Sequence, residues 1–329
     1  MLNPLISIIT PTYNHERFIK TCINSVILQD YQNWEMIIID DGSSDNTGNT
    51  VASIKDSRVR YFYQEHIGIL RLKETYNFAL RIAKGDYIAI LEGDDCWPEQ
   101  KLTDQVTLLE NNDSVLCYGK FLRIDSEGNF LDKIKNKKTK IQEKAMIYNL
   151  QRLLEGRLTI MPVTALIRRK ALEDIGGFQQ TPYYPAVEHP TWLSLSQQGN
   201  FLSSSNVLGY WRRHIGQVSG DLGIQLREGL FNYNIEFYDC LNKEIKDKIG
   251  LTRQKLRLLR SHRLASAYFS KGRYQLLEMD SKGAMDSFLY ALKCGGYFTR
   301  LKALVGIFSL KTGINIEQII ALTGRGRFG

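Results

Sequence analysis

The sequence predicts an α/β fold: a doubly wound, mostly parallel sheet with helices on both faces, followed by an all-helical C-terminal region. Three observations carry the prediction. Short, mostly apolar runs, Leu5–Ile9, Trp34–Ile39 and the unbroken Tyr87–Leu91, have the character of buried strands. Helically spaced segments separate the early strands, giving a β-α-β-α-β-α-β order within about one hundred residues. From about Gly223 onward the strands stop and nearly continuous amphipathic helix begins.

In order, the strand Leu5–Ile9 is expected to stop at Thr10-Pro11-Thr12-Tyr13-Asn14. From about Glu16 to Leu28, Phe18, Ile19, Cys22, Ile23, Val26 and Ile27 share one helical face. The strand Trp34–Ile39 ends in Asp40-Asp41-Gly42-Ser43-Ser44-Asp45, and a short helix over Thr47–Ile54 follows. Arg58–Tyr63 alternates like a third strand, and Arg71–Ala83 is helical. The turn Lys84-Gly85-Asp86 then enters the strand Tyr87–Leu91. Beyond it, Lys101–Asn111 is a helix, Val115–Ile124 a strand and Asp125–Lys140 a charged loop. Leu150–Leu158 is helical and Val163–Arg168 a strand. A short helix, Arg169–Ile175, closes at Gly176-Gly177, Thr191–Gln198 is helical, and Phe201–Tyr210 is the last strand.

The totals narrow the function classes. A 329-residue chain that is 43% hydrophobic, with 17 Tyr, has room for one large core and a smaller satellite. Its five cysteines show no Cys-x-x-Cys pair or metal-ligand spacing, which reads as buried thiols in a reducing compartment. Met1-Leu2-Asn3-Pro4 lacks the basic region and cleavage site of a signal peptide. No apolar run approaches the roughly 18–20 residues that span a bilayer. A cytoplasmic protein is therefore expected. The formal charge is +8; residues 225–329 alone carry roughly +9, so the first two-thirds of the chain are close to neutral. The aromatic and basic signatures of nucleic-acid modules are missing, so an anionic substrate or membrane surface fits better than nucleic acid.

The chemistry gathers where Tyr87–Leu91 ends in Glu92, Asp94 and Asp95. Acids at the carboxyl end of a buried parallel strand lie where open α/β sheets bind ligands. Packed together they repel one another unless a cation or strong donors stand beside them. Hard oxygen donors suit Mg²⁺ or Mn²⁺, which favour phosphate oxygens. Alone, Glu-x-Asp-Asp is also what a strand leaving into a solvated turn looks like. A second strand ending in paired Asp at the same edge makes a mononucleotide site the natural hypothesis.

Four segments, in order, resemble the family-2, GT-A-type inverting glycosyltransferases over roughly residues 4–220. They are Ser7-Ile8-Ile9-Thr10-Pro11-Thr12-Tyr13-Asn14, Asp40-Asp41-Gly42-Ser43-Ser44-Asp45-Asn46-Thr47, Ala83-Lys84-Gly85-Asp86-Tyr87-Ile88, and Leu91-Glu92-Gly93-Asp94-Asp95 with Trp97 and Lys101-Leu102 behind it. The resemblance implies a GT-A-like domain over residues 1–221, with a nucleotide-sugar half (1–100) and an acceptor half (101–221). A helical region over 222–329 would follow it. It further implies that Pro11, Thr12 and Tyr13 hold the nucleotide, with Tyr13 offering a stacking face, and that Asp40 accepts from the uracil or ribose. Asp94 and Asp95 would hold the ribose and a Mn²⁺ or Mg²⁺ ion on the diphosphate, with Glu92 replacing the more usual Asp. For Ser43 a helix-start or turn role is the expectation.

The chain departs from the family pattern at Tyr76-Asn77, where Arg-Asn is common. The cation offered to the diphosphate would then be Arg71 or Lys73; Arg71 is preferred because a fork of donors suits a phosphate. The base that deprotonates the acceptor falls within Ala186-Val187-Glu188-His189-Pro190-Thr191-Trp192-Leu193. One alignment makes it Glu188, the other His189; a helix-end carboxylate is the structural alternative for Glu188. His214, closing Tyr210-Trp211-Arg212-Arg213-His214, would be a further ligand of the ion or diphosphate.

In the C-terminal third, Ala265, Tyr268, Gly272, Ala284, Phe288, Ala291 and Gly296 are spaced like one tetratricopeptide-type helix pair, or an ordinary helical hairpin. The tail from Phe298 to Phe328 mixes Arg and Lys with apolar residues, as a packed or an interfacial helix would. The expected function is metal-dependent, inverting transfer from a nucleotide sugar, foremost a UDP-sugar, to a glycan or lipid-linked glycan acceptor in surface glycan synthesis. The alternatives are a nucleotide-sugar-binding or scaffold protein without turnover, and a nucleotidyltransferase. The latter would need a Gly-rich basic loop after the first strand, and Thr10–His15 is not one.

Overall fold

The structure, a computed structural model, describes residues 3–132, 141–217 and 222–313. Most of the basic run Lys133–Lys144 and the end of the tail, 314–328, lie outside them. The chain divides into two compact units: residues 1–221 with 247–249, and 222–246 with 250–329.

The first unit is built on strands β1 (Ile6–Thr12), β2 (Trp34–Asp40), β3 (Val59–Tyr63), β4 (Tyr87–Ile90), β5 (Leu116–Ile124), β6 (Ile141–Lys144), β7 (Leu166–Arg168) and β8 (Phe201–Arg212). They form one sheet in the order β3-β2-β1-β4-β7-β5-β8-β6. The first four run parallel, as their buried apolar runs predict. The helices between and around them are α1 (Ile19–Ile27), α2 (Thr47–Ala52), α3 (Leu72–Ile82), α4 (Lys101–Glu110), α5 (Met146–Leu154), α6 (Arg169–Asp174) and α7 (Glu188–Leu195). The core is continuous through Ile8, Trp34, Met36, Ile38, Ala89, Leu102 and Leu166.

Several boundaries move for definable reasons. β1 continues through Pro11 to Thr12, pairing with β2 as far as Asp40. The Pro11 carbonyl accepts from Gly93 N–H at 3.1 Å, so its nitrogen faces the same side, where β4 has already ended. Without a partner strand on that side, the missing N–H breaks no ladder bond. The expected strand Val163–Arg168 divides into a 3-10 turn (Pro162–Thr164) and β7, which runs antiparallel to both β4 and β5. β6, which pairs with β8 and forms the far edge of the sheet, was not expected; its Ile-Gln-Glu-Lys run is too short and polar to stand out. Helix α7 begins three residues earlier than expected, with Pro190 in its first turn, where an amide lacks an intrahelical partner anyway.

The second unit holds α8 (Gly223–Cys240), most of α9 (Lys243–Ile249), α10 (Arg253–Leu277), α11 (Ser281–Cys294) and α12 (Tyr297–Thr312). Thr252 caps α10 by accepting from Lys255 N–H at 3.1 Å, and Asp280 caps α11 by accepting from Gly283 N–H at 2.9 Å. Leu276, Ala284, Phe288, Ala291 and Ala303 form a small core. Phe288 needs glycine on both sides: a Cβ at Gly272 or Gly306 would come within 2.8 or 2.6 Å of its ring. Of the small residues spaced like a helix pair in the sequence, Gly272 lies against this ring and Ala284 and Ala291 share its core; Gly306 was not among them.

Candidate active site

The carboxyl ends of β1, β2 and β4 carry the residues the motifs single out. After β1, Asn14 takes a left-handed conformation (φ 54°), one that asparagine tolerates better than most residues. Its amide donates to Ser43 Oγ at 2.8 Å, and its side-chain oxygen accepts from Ser44 N–H at 2.9 Å. The His15 amide donates to Thr47 Oγ1 at 2.9 Å. The turns after β1 and β2 are therefore stitched together by short polar side chains. Tyr13 stays exposed, and its ring stacks on His66 with centroids 4.3 Å apart. Pro11 and Thr12 are buried beneath it.

Two expected nucleotide contacts are placed otherwise. Asp40 is fully enclosed; its oxygens accept from Ser43 N–H (2.8 Å) and Tyr61 O–H (2.7 Å). Those donors make it an organiser of the turn, each oxygen accepting one hydrogen bond. Neighbouring Asp41 behaves likewise, accepting from Gln64, Ile67 and Gly68 and pairing with His66. Arg71 is exposed, and its fork is engaged by Glu74 at 2.8 and 2.6 Å, so the donors expected to face a diphosphate face a carboxylate of the same helical turn.

The acid loop after β4 is different. Glu92, Asp94 and Asp95 bring one carboxylate oxygen each within 4.8 Å of one another, and Asp94 and Asp95 are buried. Burial, with Asp94 and Glu188 nearby, pushes the Glu92 carboxyl up to about 8. Burial and the charges of Asp94 and Glu92 push Asp95 well above the usual carboxylate range. Burial also works against ionisation of Asp94, but His15 and His214 more than offset it and hold that carboxyl below its ordinary value. His214 Nδ1 donates to the Ile215 carbonyl at 2.9 Å, and Nε2 reaches Asp94 Oδ2 at 3.1 Å. The bond to Asp94 raises the imidazole above its usual value.

Arg212 braces this loop from β8. Its amide donates to Asp95 Oδ1 (2.8 Å) and its Nε to the Asp94 carbonyl (2.7 Å), while Nη1 reaches the Asp125 carbonyl (3.0 Å). Tyr76, standing where the family pattern has arginine, is fully buried with its hydroxyl 3.4 Å from Glu92 Oε1. Sequence reasoning missed the roles of Arg212, Tyr76 and His15. Arg212 lies two residues before His214 and His15 one residue after Asn14, so their adjacency to the motifs was the available signal.

Glu188 opens α7, where the Val187 and Glu188 amides donate to its carboxylate. Burial nevertheless holds its carboxyl above the ordinary value. Its charge is felt at Glu92, Tyr76 and Tyr184, so it shares the electrostatics of the acid loop. His189 is buried within the same turn. A cavity of about 820 Å³, lined by Thr21, Trp97, Asp104, Asn206 and Tyr210 among others, contains none of Glu92, Asp94, Asp95, Glu188 or the histidines and is not the candidate site.

The donor set fits a divalent cation. Buried carboxylates crowd together, His214 Nε2 faces one of them, and the nearest guanidinium gives its Nε to a carbonyl rather than to a carboxylate.

Residues 7–176 match the model described as glycosyl transferase family 2. Over 118 residues the chain is 40% identical to Escherichia coli WfgD, a UDP-Glc:alpha-D-GlcNAc-diphosphoundecaprenol beta-1,3-glucosyltransferase; this is 36% of the chain and 46%, about half, of WfgD. To Escherichia coli WfaP, named for the same reaction, it is 29% identical over 227 residues, 66% of the chain and 80% of WfaP. Among solved structures, S. aureus TarS 1-349 in complex with UDP-GlcNAc aligns with a TM-score of 0.60 at 17% identity, covering 93% of this chain and 90% of that one. Mannosyltransferase PcManGT from Pyrobaculum calidifontis, in complex with GDP-Man and Mn²⁺, aligns at 0.58 and 18% identity, covering 99% and 88%. Identities this low speak for the fold, which is GT-A-like. With the motif segments on one sheet edge and the family match spanning residues 7–176, the chain belongs to glycosyl transferase family 2.

Proposed function

We propose that this chain transfers a sugar, with inversion, from a UDP-sugar to the saccharide of a lipid-linked acceptor. What supports the reading is that the acid loop and His214 lie together at the strand edge of a family-2 fold, with the charge of Glu188 felt at Glu92. The printed reactions of WfgD and WfaP support UDP-glucose as the first donor to test and a polyprenyl diphosphate-linked sugar as acceptor.

In this reading the Tyr13 ring stacks on the base, Thr12 and Pro11 shape the wall beneath it, and Asp94 binds the ribose or the ion. Asp94, Asp95, Glu92 and His214 are the candidate ligands of Mn²⁺ or Mg²⁺. When bound, the ion supplies positive charge to the diphosphate leaving group. Glu188 takes the proton from the acceptor hydroxyl, whose oxygen attacks the anomeric carbon from the face opposite the departing UDP. A carboxyl held up by burial is well matched to that task near neutral pH. His189 is the alternative base. Residues 1–221 would be the catalytic domain.

Contact with an anionic lipid surface belongs to the same reading. No helix among the described residues is long and apolar enough to cross a membrane. Helix α12 exposes Tyr297, Phe298, Leu301, Leu304, Val305 and Phe308 beside Arg300, Lys302 and Lys311. An apolar face with basic flanks suits an interface lined by anionic headgroups.

The test is UDP release from UDP-glucose with Mn²⁺ present, with and without a polyprenyl diphosphate-GlcNAc acceptor. Acceptor-dependent release is expected. Donor binding with no release under any acceptor would replace catalysis by a binding role.

A further inference from the structure

Asp94 belongs to two ligand sets. One is the all-oxygen triad Glu92, Asp94 and Asp95; the other is His15, Asp94 and His214, whose donor atoms also lie within 4.8 Å of one another. We propose that His15 is a second imidazole ligand, so that the cation is held by His15, Asp94 and His214 and is selected for nitrogen-accepting ions such as Mn²⁺ over Mg²⁺. The inference rests on reading this edge as the cation and diphosphate site.

Four observations favour the mixed set. First, Asp95 is 1% exposed and one of its oxygens already accepts the Arg212 amide at 2.8 Å, which ties it to β8. Second, the His214 Nδ1–H bond to the Ile215 carbonyl leaves Nε2 as the nitrogen facing Asp94. A backbone carbonyl behind the ring is the usual way a ligating imidazole is oriented. Third, His15 has a comparable support: Nδ1 lies 3.1 Å from Thr12 Oγ1, and donation from Nδ1 leaves Nε2 with its lone pair. Fourth, the acid loop is shaped around this ring. A Cβ at Gly93 would come within 2.8 Å of His15 Nδ1 and 2.5 Å of Thr12 Oγ1, so the glycine between Glu92 and Asp94 admits the histidine.

The two rings stand perpendicular, with centroids 6.3 Å apart, and Phe18 packs at 4.6 Å from His214 and 6.4 Å from His15. The Arg212 guanidinium covers Phe18 at 5.0 Å, so the wall behind the imidazoles is itself held. Imidazole nitrogen suits Co²⁺ and Zn²⁺ best; Mn²⁺, though fond of oxygen ligands, accepts it more readily than Mg²⁺, which keeps to oxygen and water.

Pulsed electron spin resonance of Mn²⁺ bound to the full-length chain, alone and with UDP, counts coordinated nitrogens. The proposal expects two nitrogens in the wild type and one in His15→Ala. Calorimetry should show Mn²⁺ affinity falling by about 10–100-fold in His15→Ala while Mg²⁺ affinity moves less than about threefold. A wild-type spectrum with one nitrogen or none overturns the assignment without any variant having to fold, as does absence of Mn²⁺ binding. UDP-glucose turnover is measured in parallel. An active enzyme whose Mn²⁺ carries one nitrogen sinks the His15 assignment alone. Two nitrogens without sugar transfer uphold it and sink the catalytic reading.

Discussion

Two strands of this sheet end in paired aspartates at the same edge, and the pairs have opposite fates. At the end of β2, Asp40 and Asp41 face backbone amides, a tyrosine hydroxyl and a glutamine, so their acceptor capacity is used in folding two turns. At the end of β4, Asp94 and Asp95 lie beside Glu92 and two imidazoles, with backbone amides of Arg212 and Asp94 donating to Asp95 and Asp94 respectively. The same dipeptide is structural where amides surround it and chemical where other acids do. The difference teaches that the donors around a carboxylate, more than the motif containing it, decide whether it is available to a ligand.

The comparison can be pressed hardest at Glu188, which joins the second cluster. Glu188→Gln keeps size and hydrogen bonding but cannot take a proton, so transfer should fall about 10²–10⁴-fold with donor affinity nearly unchanged. Steady-state kinetics beside UDP-glucose calorimetry will show it. A His189→Ala variant that is inactive while Glu188→Gln turns over normally would move the base by one residue.

Asp40→Ala should cost roughly 1–3 kcal/mol of stability, because it strands a half-buried tyrosine hydroxyl and a turn amide that now donate to Asp40. Urea unfolding measures this, and a variant as stable as wild type would refute the structural role. Asp94→Asn is the mirror experiment. It should lower metal-free stability only modestly, by about 1–2 kcal/mol: the charge that His15 and His214 stabilise is lost, but the amide oxygen can still accept from His214. Mn²⁺ affinity should drop by at least about tenfold. If Asp94→Asn unfolds the protein while Asp40→Ala abolishes cation binding, the contrast is reversed.

The smallest expected effect concerns a buried cation away from both turns. Lys101 is fully buried, its Nζ 2.6 Å from Gln105 Oε1 and 4.1 Å from the Trp97 ring centroid. Burial lowers its pKa to about 7. Between about pH 7 and the ordinary lysine value the unfolded chain binds the extra proton, so stability rises with pH across that window. Below pH 7 both states are protonated and the penalty is fully present. The slope from this group is at most about 1.4 kcal/mol per pH unit. Subtracting Lys101→Met denaturation curves from wild type at pH 7 and pH 9 isolates it, and equal differences at the two pH values would show that Lys101 stays charged.

Much of the architecture was legible because its signals are local. Ile6–Ile9, Trp34–Ile39 and Tyr87–Ile90 are almost wholly apolar, as strands covered on both faces tend to be; the exceptions, Ser7 and Glu35, hydrogen-bond each other. The acids stood out through the chemistry of the residues themselves, whereas His214 and Glu188 were expected only through the family resemblance of the segments that hold them. What remained hidden depends on partners distant in sequence. Tyr76 read as a departure from a family pattern because Glu92, its partner, is 16 residues away across a strand.

The sequence by itself determined the parallel half of the sheet, the turn to helix near Gly223 and the edge at which the acids collect, since periodicity and turn chemistry act between near neighbours. Only the tertiary structure decided that β7 runs antiparallel between β4 and β5, that Asp40 is enclosed, and that His15 and His214, 199 positions apart by their numbers, stand on either side of Asp94. Burial and the placing of donors are set by strand order and loop approach. Those are properties of the packed chain, and no local window contains them.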